Sequence, residues 1–255
     1  MPDFIDLPDS SDLSVDSDSS TVVPWGILLV GGTGSRISGS CPKQFLKIGD
    51  KSLLSWAFTS LQSVSNIRGI VVVVNSDLTE RTKEVIDTEI KSAPFISFVT
   101  GGKTRQDSVR AGLSMLPKEC TQVWVHDSSR PFPGHRLIES LEKVSHICFA
   151  VIPGVFEKNT LKVVDSDNIV VKTVDRREYV EVQTPQVFDR QILETAHKKA
   201  FECGFSGTDC ASLVERLNEP VRVVLGSDCN IKVTTDGDLL YAKYLITSSG
   251  FKNLL

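Results

Sequence analysis

The feature that most restricts the fold of this chain is the character of its apolar runs. Residues 26–30 read GILLV, 70–74 read IVVVV and 148–152 read CFAVI. Residues 123–125 (VWV) lead into His126-Asp127, and residues 96–100 lead into Gly101-Gly102. None of these runs alternates apolar with polar residues, so each suits a strand buried on both faces of a sheet. The segments between them have helical spacing. Leu53, Leu54, Trp56, Ala57 and Leu61 share one helix face, and Leu137, Ile138, Leu141 and Val144 share another. Strands alternating with helices predict an α/β fold with a doubly wound, mainly parallel sheet. Such sheets bind ligands outside the carboxyl ends of their strands, and the polar motifs of this chain follow those ends.

Residues 155–180 break the rhythm. Two β-branched stretches, 161–164 and 169–174, flank Asp165-Ser166-Asp167-Asn168, a turn-forming cluster. They predict a β-hairpin, and the projecting β-arm is placed at about residues 155–176. Its apolar residues Val155, Phe156, Leu161, Val163, Ile169 and Val171 form a patch that marks an interface if the arm protrudes.

Composition narrows the partners. The chain has 255 residues, 40% of them hydrophobic, with a formal net charge of -4. That balance argues against nucleic acid as the main partner, because a phosphate backbone calls for a basic excess. No run approaches the ~20 apolar residues of a membrane span, so no membrane partner is expected. The six cysteines form no CxxC pair and have no histidine at zinc-ligand spacing, so they read as free thiols of a reducing, cytoplasmic compartment. Residues 1–24 carry six Asp (Asp3, Asp6, Asp9, Asp12, Asp16 and Asp18), many Ser and no Lys or Arg. They resemble neither a secretory signal nor a transit peptide, and they read as a disordered acidic tail before a single domain over 25–255.

Four motifs carry chemistry. The first is Gly31-Gly32-Thr33-Gly34-Ser35-Arg36, followed shortly by Pro42-Lys43-Gln44. Glycines after a buried strand let backbone N–H groups cradle phosphate oxygens, and Arg36 and Lys43 add fixed positive charge to the same anion. The glycines alone would suit a tight turn equally well. A P-loop's Gly-Lys-Ser/Thr ending is missing, and Ile37 stands where a dinucleotide fingerprint needs its third glycine. The second motif spans residues 101–108 (GGKTRQDS), which offers backbone groups and a Ser hydroxyl to a base. Taken alone it reads better as a loop with Asp107 or Ser108 capping a helix.

The third motif is His126-Asp127-Ser128-Ser129-Arg130-Pro131. A carboxylate at the end of a central strand must be paired or bind a cation. Asp127 is therefore either a Mg²⁺ ligand beside substrate phosphates or half of a structural pair with Arg130, and His126 reads as packed or capping. The fourth set comprises residues 173–176 (TVDR), 183–186 (QTPQ), 207–209 (GTD) and 230–234 (NIKVT). Lys232 sits between apolar neighbours, so its ammonium either points into a site or snorkels to the surface.

Read in order, these motifs resemble the 2-C-methyl-D-erythritol 4-phosphate cytidylyltransferase family over about residues 26–247. The resemblance implies a Rossmann-like nucleotidyltransferase sheet and a homodimer built by exchange of the β-arm. It implies transfer of CMP from CTP to a polyol phosphate, with Mg²⁺ on the triphosphate. Arg36 and Lys43 would stabilise the transition state, and Arg176 and Lys232 would hold the acceptor phosphate. Gly31, Gly32 and Gly34 would cradle phosphates. Gly102, Lys103 (through its backbone) and Ser108 would read cytosine. Asp127 would meet the metal or the acceptor hydroxyls, and Thr160 and Thr208 would line the acceptor pocket. Competing readings are a ribitol-5-phosphate cytidylyltransferase, a sugar-1-phosphate nucleotidyltransferase using another nucleotide, and a non-catalytic nucleotide-binding regulator.

Overall fold

The computed structural model describes residues 22–31, 37 and 41–248. The chain opens with β1 (Pro24–Val30), a short pair β2 (Lys47–Ile48) and β3 (Lys51–Ser52), and α1 (Leu53–Gln62). β4 (Gly69–Val74), α2 (Thr79–Glu89), β5 (Phe95–Thr100), α3 (Arg105–Leu113), β6 (Gln122–Asp127) and α4 (His135–Ser145) follow. Then come β7 (Ala150–Phe156), the hairpin β8 (Lys162–Val164) and β9 (Val170–Thr173), β10 (Val180–Val182) and β11 (Gln186–Asp189). The chain ends on α5 (Arg190–Glu202), α6 (Ala211–Glu215), β12 (Arg222–Leu225) and α7 (Asp236–Thr247).

β5, β4, β1 and β6 lie side by side and parallel. β11 runs antiparallel to both β6 and β7, so β7 points the same way as β6. β12 pairs parallel with β7, and β10 pairs antiparallel with it. The expected mainly parallel sheet forms, with two antiparallel strands inserted near one side.

The continuous apolar runs are explained by two cores. Alternate residues of each strand point to opposite faces. Ile27, Leu29, Val71, Val73, Val123 and Val125 pack beneath α3, α5 and α6. Leu28, Val30, Ile70, Val72, Val74 and Trp124 pack beneath α1 and α4. Burying one such side chain is worth roughly 1.5–3 kcal/mol, so a polar residue at any of these positions would be costly. A third, smaller cluster (Ile48, Leu53, Phe132, Val233, Ala242 and Leu245) seats α7 beside β2 and β3.

Three sequence boundaries shift. The expected acidic tail was drawn through residue 24, but Pro24 is the buried first residue of β1. Val23 also accepts a hydrogen bond from Thr121 N and donates its own N–H to Thr121 Oγ1. Residues 1–21 lie outside the described residues. The run expected at 148–152 starts later, at Ala150, because Cys148 N donates to Val144 O and closes the turn after α4. The arm is also narrower than 155–176. Val155 and Phe156 still belong to β7, opposite Glu181 and Val180.

The hairpin itself forms where its turn residues predict. Asn168 takes a left-handed backbone (φ 63°), and Asp165 Oδ1 accepts from Asp167 N at 3.0 Å and Ile169 N at 2.9 Å. Val163, Val164, Ile169, Val170 and Val171 stand exposed on it.

Candidate active site

The parallel strands deliver their carboxyl ends to one edge of the sheet. Gly31 follows β1, Asn75 follows β4, residues 101–104 follow β5, and Asp127 closes β6. With Lys43, Ser108, Ser129 and Lys232 they line a cleft of about 480 Å³. Leu29 and Val73 contribute apolar surface to it.

The segment from Gly101 to Ser108 is held by its own contacts. A Cβ on Gly102 would stand 2.2 Å from Asp107 Cβ, so only glycine fits there. Thr104 caps α3 through its hydroxyl, which accepts from Asp107 N at 3.0 Å. Asp107 closes the capping box by accepting from Thr104 N at 3.3 Å. The cap is thus Thr104 with Asp107, not Asp107 or Ser108 alone. The Ser108 hydroxyl donates to Thr104 O at 2.9 Å and accepts from Gly102 N at 3.2 Å, which fixes it at the cleft. Lys103 lines the same wall.

Asp127 is the hub. Its Oδ2 accepts from Lys232 Nζ at 2.9 Å, and its Oδ1 accepts from Arg105 Nε at 3.1 Å. Burial pushes the Asp127 carboxyl up, but Arg105 and Lys232 outweigh it and hold the group well below the usual carboxylate range. The alternative Asp127–Arg130 pair does not form. Arg130 instead donates to Asn230 O at 2.7 Å and Val182 O at 3.1 Å. Lys232 points into the site and does not snorkel away from it. Its strand-like segment is fixed by Val233 N donating to Ser129 O and by buried Asn230 donating to Thr184 O.

His126 is structural, as its sequence setting suggests. It is fully buried, which pushes its ring down to about 4. Asp127 N donates to Thr184 Oγ1 at 3.2 Å, and that hydroxyl lies 2.8 Å from His126 Nδ1. His126 Nε2 lies 3.0 Å from Arg130 O. A carbonyl only accepts, so the neutral ring carries its proton on Nε2 and takes the Thr184 hydroxyl proton at Nδ1. This chain of hydrogen bonds locks the end of β6 that presents Asp127.

A second cavity of about 410 Å³ shares Arg105, Asp127 and Lys232 with the first. Thr208, Arg130 and Gln186 line its other walls. Gln186 donates to Asp209 at 2.7 Å, and Gln106 holds the turn before Thr208 by accepting from Gly207 N at 3.0 Å. Thr208 thus lines the second cavity together with the shared trio.

The structure brings together Gly31, Lys43, Gly102, Lys103, Ser108, Asp127 and Lys232, with Thr208 in the adjoining cavity. Lys43 Nζ reaches Val233 O at 3.4 Å, so the two lysine-bearing segments touch. Thr160 and Arg176 do not join them. Both are exposed at the arm and line neither cavity, and Arg176 donates to Lys158 O. Gly32, Gly34 and Arg36 lie outside the described residues. Arg105 was missed by sequence reasoning, although it stands inside the GGKTRQDS motif. The signal was available: an arginine at the first turn of a helix, beside glycines at a strand end, faces whatever the strand ends bind.

For a divalent cation the donor set is sparse. Among the described residues no three His, Cys, Asp or Glu side chains cluster at ligand distance. Asp127 is the one carboxylate among the described residues lining the first cleft, and its two oxygens already accept from cations. Such a site fits Mg²⁺ only when substrate phosphates supply most of its oxygens, which is how Mg²⁺ commonly binds.

A doubly wound sheet that gathers Gly31, Lys43, Lys232, Arg105 and residues 101–104 at its carboxyl edge has the form of a nucleotidyltransferase-type protein. Comparison with known proteins narrows the class. The family model described as 2-C-methyl-D-erythritol 4-phosphate cytidylyltransferase (IspD) matches residues 25–248. The enzyme of that name from Caldanaerobacter subterraneus is 37% identical over 86% of this chain and 97% of its own length. The one from Syntrophus aciditrophicus is 38% identical over 85% of this chain and 93% of its own. In structure, the 4-diphosphocytidyl-2C-methyl-D-erythritol synthase of Anaerococcus prevotii superposes with a TM-score of 0.78 at 28% identity, covering 89% of this chain and 99% of that one. The chain belongs to the 2-C-methyl-D-erythritol 4-phosphate cytidylyltransferase family.

Proposed function

We propose that this protein transfers CMP from CTP to 2-C-methyl-D-erythritol 4-phosphate and releases pyrophosphate, a step of non-mevalonate isoprenoid precursor synthesis. The observation that carries the reading is the meeting of two cavities at Arg105, Asp127 and Lys232. One is lined by Gly31, Lys43 and residues 101–104. The other has hydroxyl and amide groups suited to a polyol. Family membership supplies the identity of both substrates.

In this mechanism an oxygen of the acceptor phosphate attacks the α-phosphorus of CTP. The new P–O bond forms as the bridging bond to the β-phosphate breaks, and pyrophosphate leaves. No covalent enzyme intermediate is needed, so the protein's task is positioning and electrostatics. Lys43, with Arg36 of the glycine loop, offsets the charge that gathers on the α-phosphate. Lys232, oriented by Asp127, turns its ammonium toward the approaching phosphate. Gly102, Lys103 and Ser108 hold the cytosine, and Thr208 lines the acceptor side. Mg²⁺ bound to the triphosphate would neutralise its charge and polarise it, with Asp127 as the side chain nearest that role.

The reading extends to assembly. The exposed apolar arm suits exchange between two copies in a homodimer, in which Arg176 and Thr160 of one copy complete the acceptor site of the other. The free cysteines suit a cytoplasmic setting. Among the described residues no helix is long and apolar enough to cross a membrane. Pyrophosphate release with CTP and either 2-C-methyl-D-erythritol 4-phosphate or ribitol 5-phosphate tests the acceptor. Preference for ribitol 5-phosphate would replace the reading with its nearest rival.

A further inference from the structure

Asn75 occupies a position that the recognised motifs leave unassigned. The register places Val74 of β4 beside Val30 of β1 on one side and Thr100 of β5 on the other. The next residue, Asn75, therefore lies abreast of Gly31 and Gly101. It shares its strand face with Val73, and both line the cleft with Leu29 and Ser108.

Its side chain has no local task. Asn75 caps the short helical turn over residues 76–78, a position where an Asn side chain ordinarily accepts a backbone N–H. Here no side-chain cap bond forms. The backbone carbonyl alone serves the turn, accepting from Leu78 N at 2.9 Å. An exposed amide, with one donor and one acceptor face, is left at the rim of a cleft with apolar Leu29 and Val73.

We propose that Asn75 binds the hydrogen-bonding edge of the pyrimidine base. This rests on the cytidylyltransferase reading and adds a contact to it. A flat ring packs its face against the apolar side chains while its polar edge meets Asn75 and the base loop. The amide pairs a donor with an acceptor, as the pyrimidine edge does. Among the described residues no partner pins the amide, so it can flip and suit cytosine or uracil. Asn75 therefore contributes affinity for pyrimidines but no choice between them. That choice is left to the fixed groups at Gly102 and Ser108, which cannot reorient.

The test is steady-state kinetics and calorimetric CTP binding for wild type, Asn75→Leu and Asn75→Ala, with melting temperature as a check on folding. Loss of the contact should weaken CTP binding and raise its KM by about five- to tenfold. kcat should change less than twofold, the acceptor KM should stay put, and the CTP-to-UTP ratio should remain as in wild type. An unchanged CTP KM in both variants would overturn the proposal. So would a loss that vanishes with 2′-deoxy-CTP, which would move the contact to the ribose, or a collapse of the CTP-to-UTP ratio. Wild type that neither binds nor turns over CTP would instead overturn the functional reading beneath it.

Discussion

Lys43 and Asp127 show how single side chains acquire function from their surroundings. Lys43 leaves a helical turn anchored by buried Gln44 and Phe45, and its ammonium meets the segment that carries Lys232. Replacing it with Ala should leave folding intact and lower kcat by ~10²–10³, the usual cost of losing one preorganised charge donor. Turnover within twofold of wild type would remove Lys43 from the chemistry. The buried histidines make a second residue-level prediction. His126 and His197 are both pushed down to about 4 by burial, and among the described residues neither His197 nitrogen finds a hydrogen-bond partner. Unfolded, both titrate near ~6.5. Between these limits the unfolded chain binds more protons, so stability falls as pH drops from about 6.5 to 4. Melting temperature followed from pH 7 to pH 4 should show that fall, and His197→Leu should flatten part of it. Asp127 acts lower: its contribution is whole above ~3.9 and declines only below that. Asp127 was legible because motif and strand end coincide, whereas Lys43 and Lys232 stood out only through their motifs, since neither lies at a strand end. Arg105 carried a usable signal beside the strand-end glycines but was not assigned, because Arg130 lies nearer to Asp127 in sequence.

At the scale of elements, the parallel core was legible because each of its strands is an unbroken apolar run. β10, β11 and β12 were not. They are three or four residues long, and β11 starts only at Gln186, the last residue of the QTPQ motif, so no periodicity separates them from loop. The arm was legible by its turn chemistry, but its root was misplaced because Val155 and Phe156 continue β7 without a break in composition. α3 joins stability to function most directly. Its capping box fixes the loop that carries Gly102 and Ser108, so Thr104→Ala should cost about 1 kcal/mol and also raise the KM for CTP. Thermal denaturation and CTP titration of that variant measure both. A stability loss with no change in KM would separate the cap from base reading.

For the whole molecule, the question is what covers the arm. Its exposed valines and isoleucine are explained if a second copy buries them, and the isolated chain leaves Arg176 away from both cavities. In the proposed homodimer Arg176 would act across to the partner's site. Lys43→Ala and Arg176→Ala chains, each nearly inactive alone, should regain part of the activity when co-expressed, because one site of each mixed dimer holds both native residues. Mixed dimers with no activity above that of the two parents would assign Arg176 to its own subunit. Beneath this stands the central claim that the two cavities bring CTP and 2-C-methyl-D-erythritol 4-phosphate together. The most direct measurement is pyrophosphate release by the purified protein with Mg²⁺, CTP and that acceptor, with the nucleotide product identified by mass. The account predicts sustained turnover yielding a cytidine diphosphate ester of methylerythritol, and little product when UTP replaces CTP. A folded protein that binds CTP yet releases no pyrophosphate with this acceptor would contradict it.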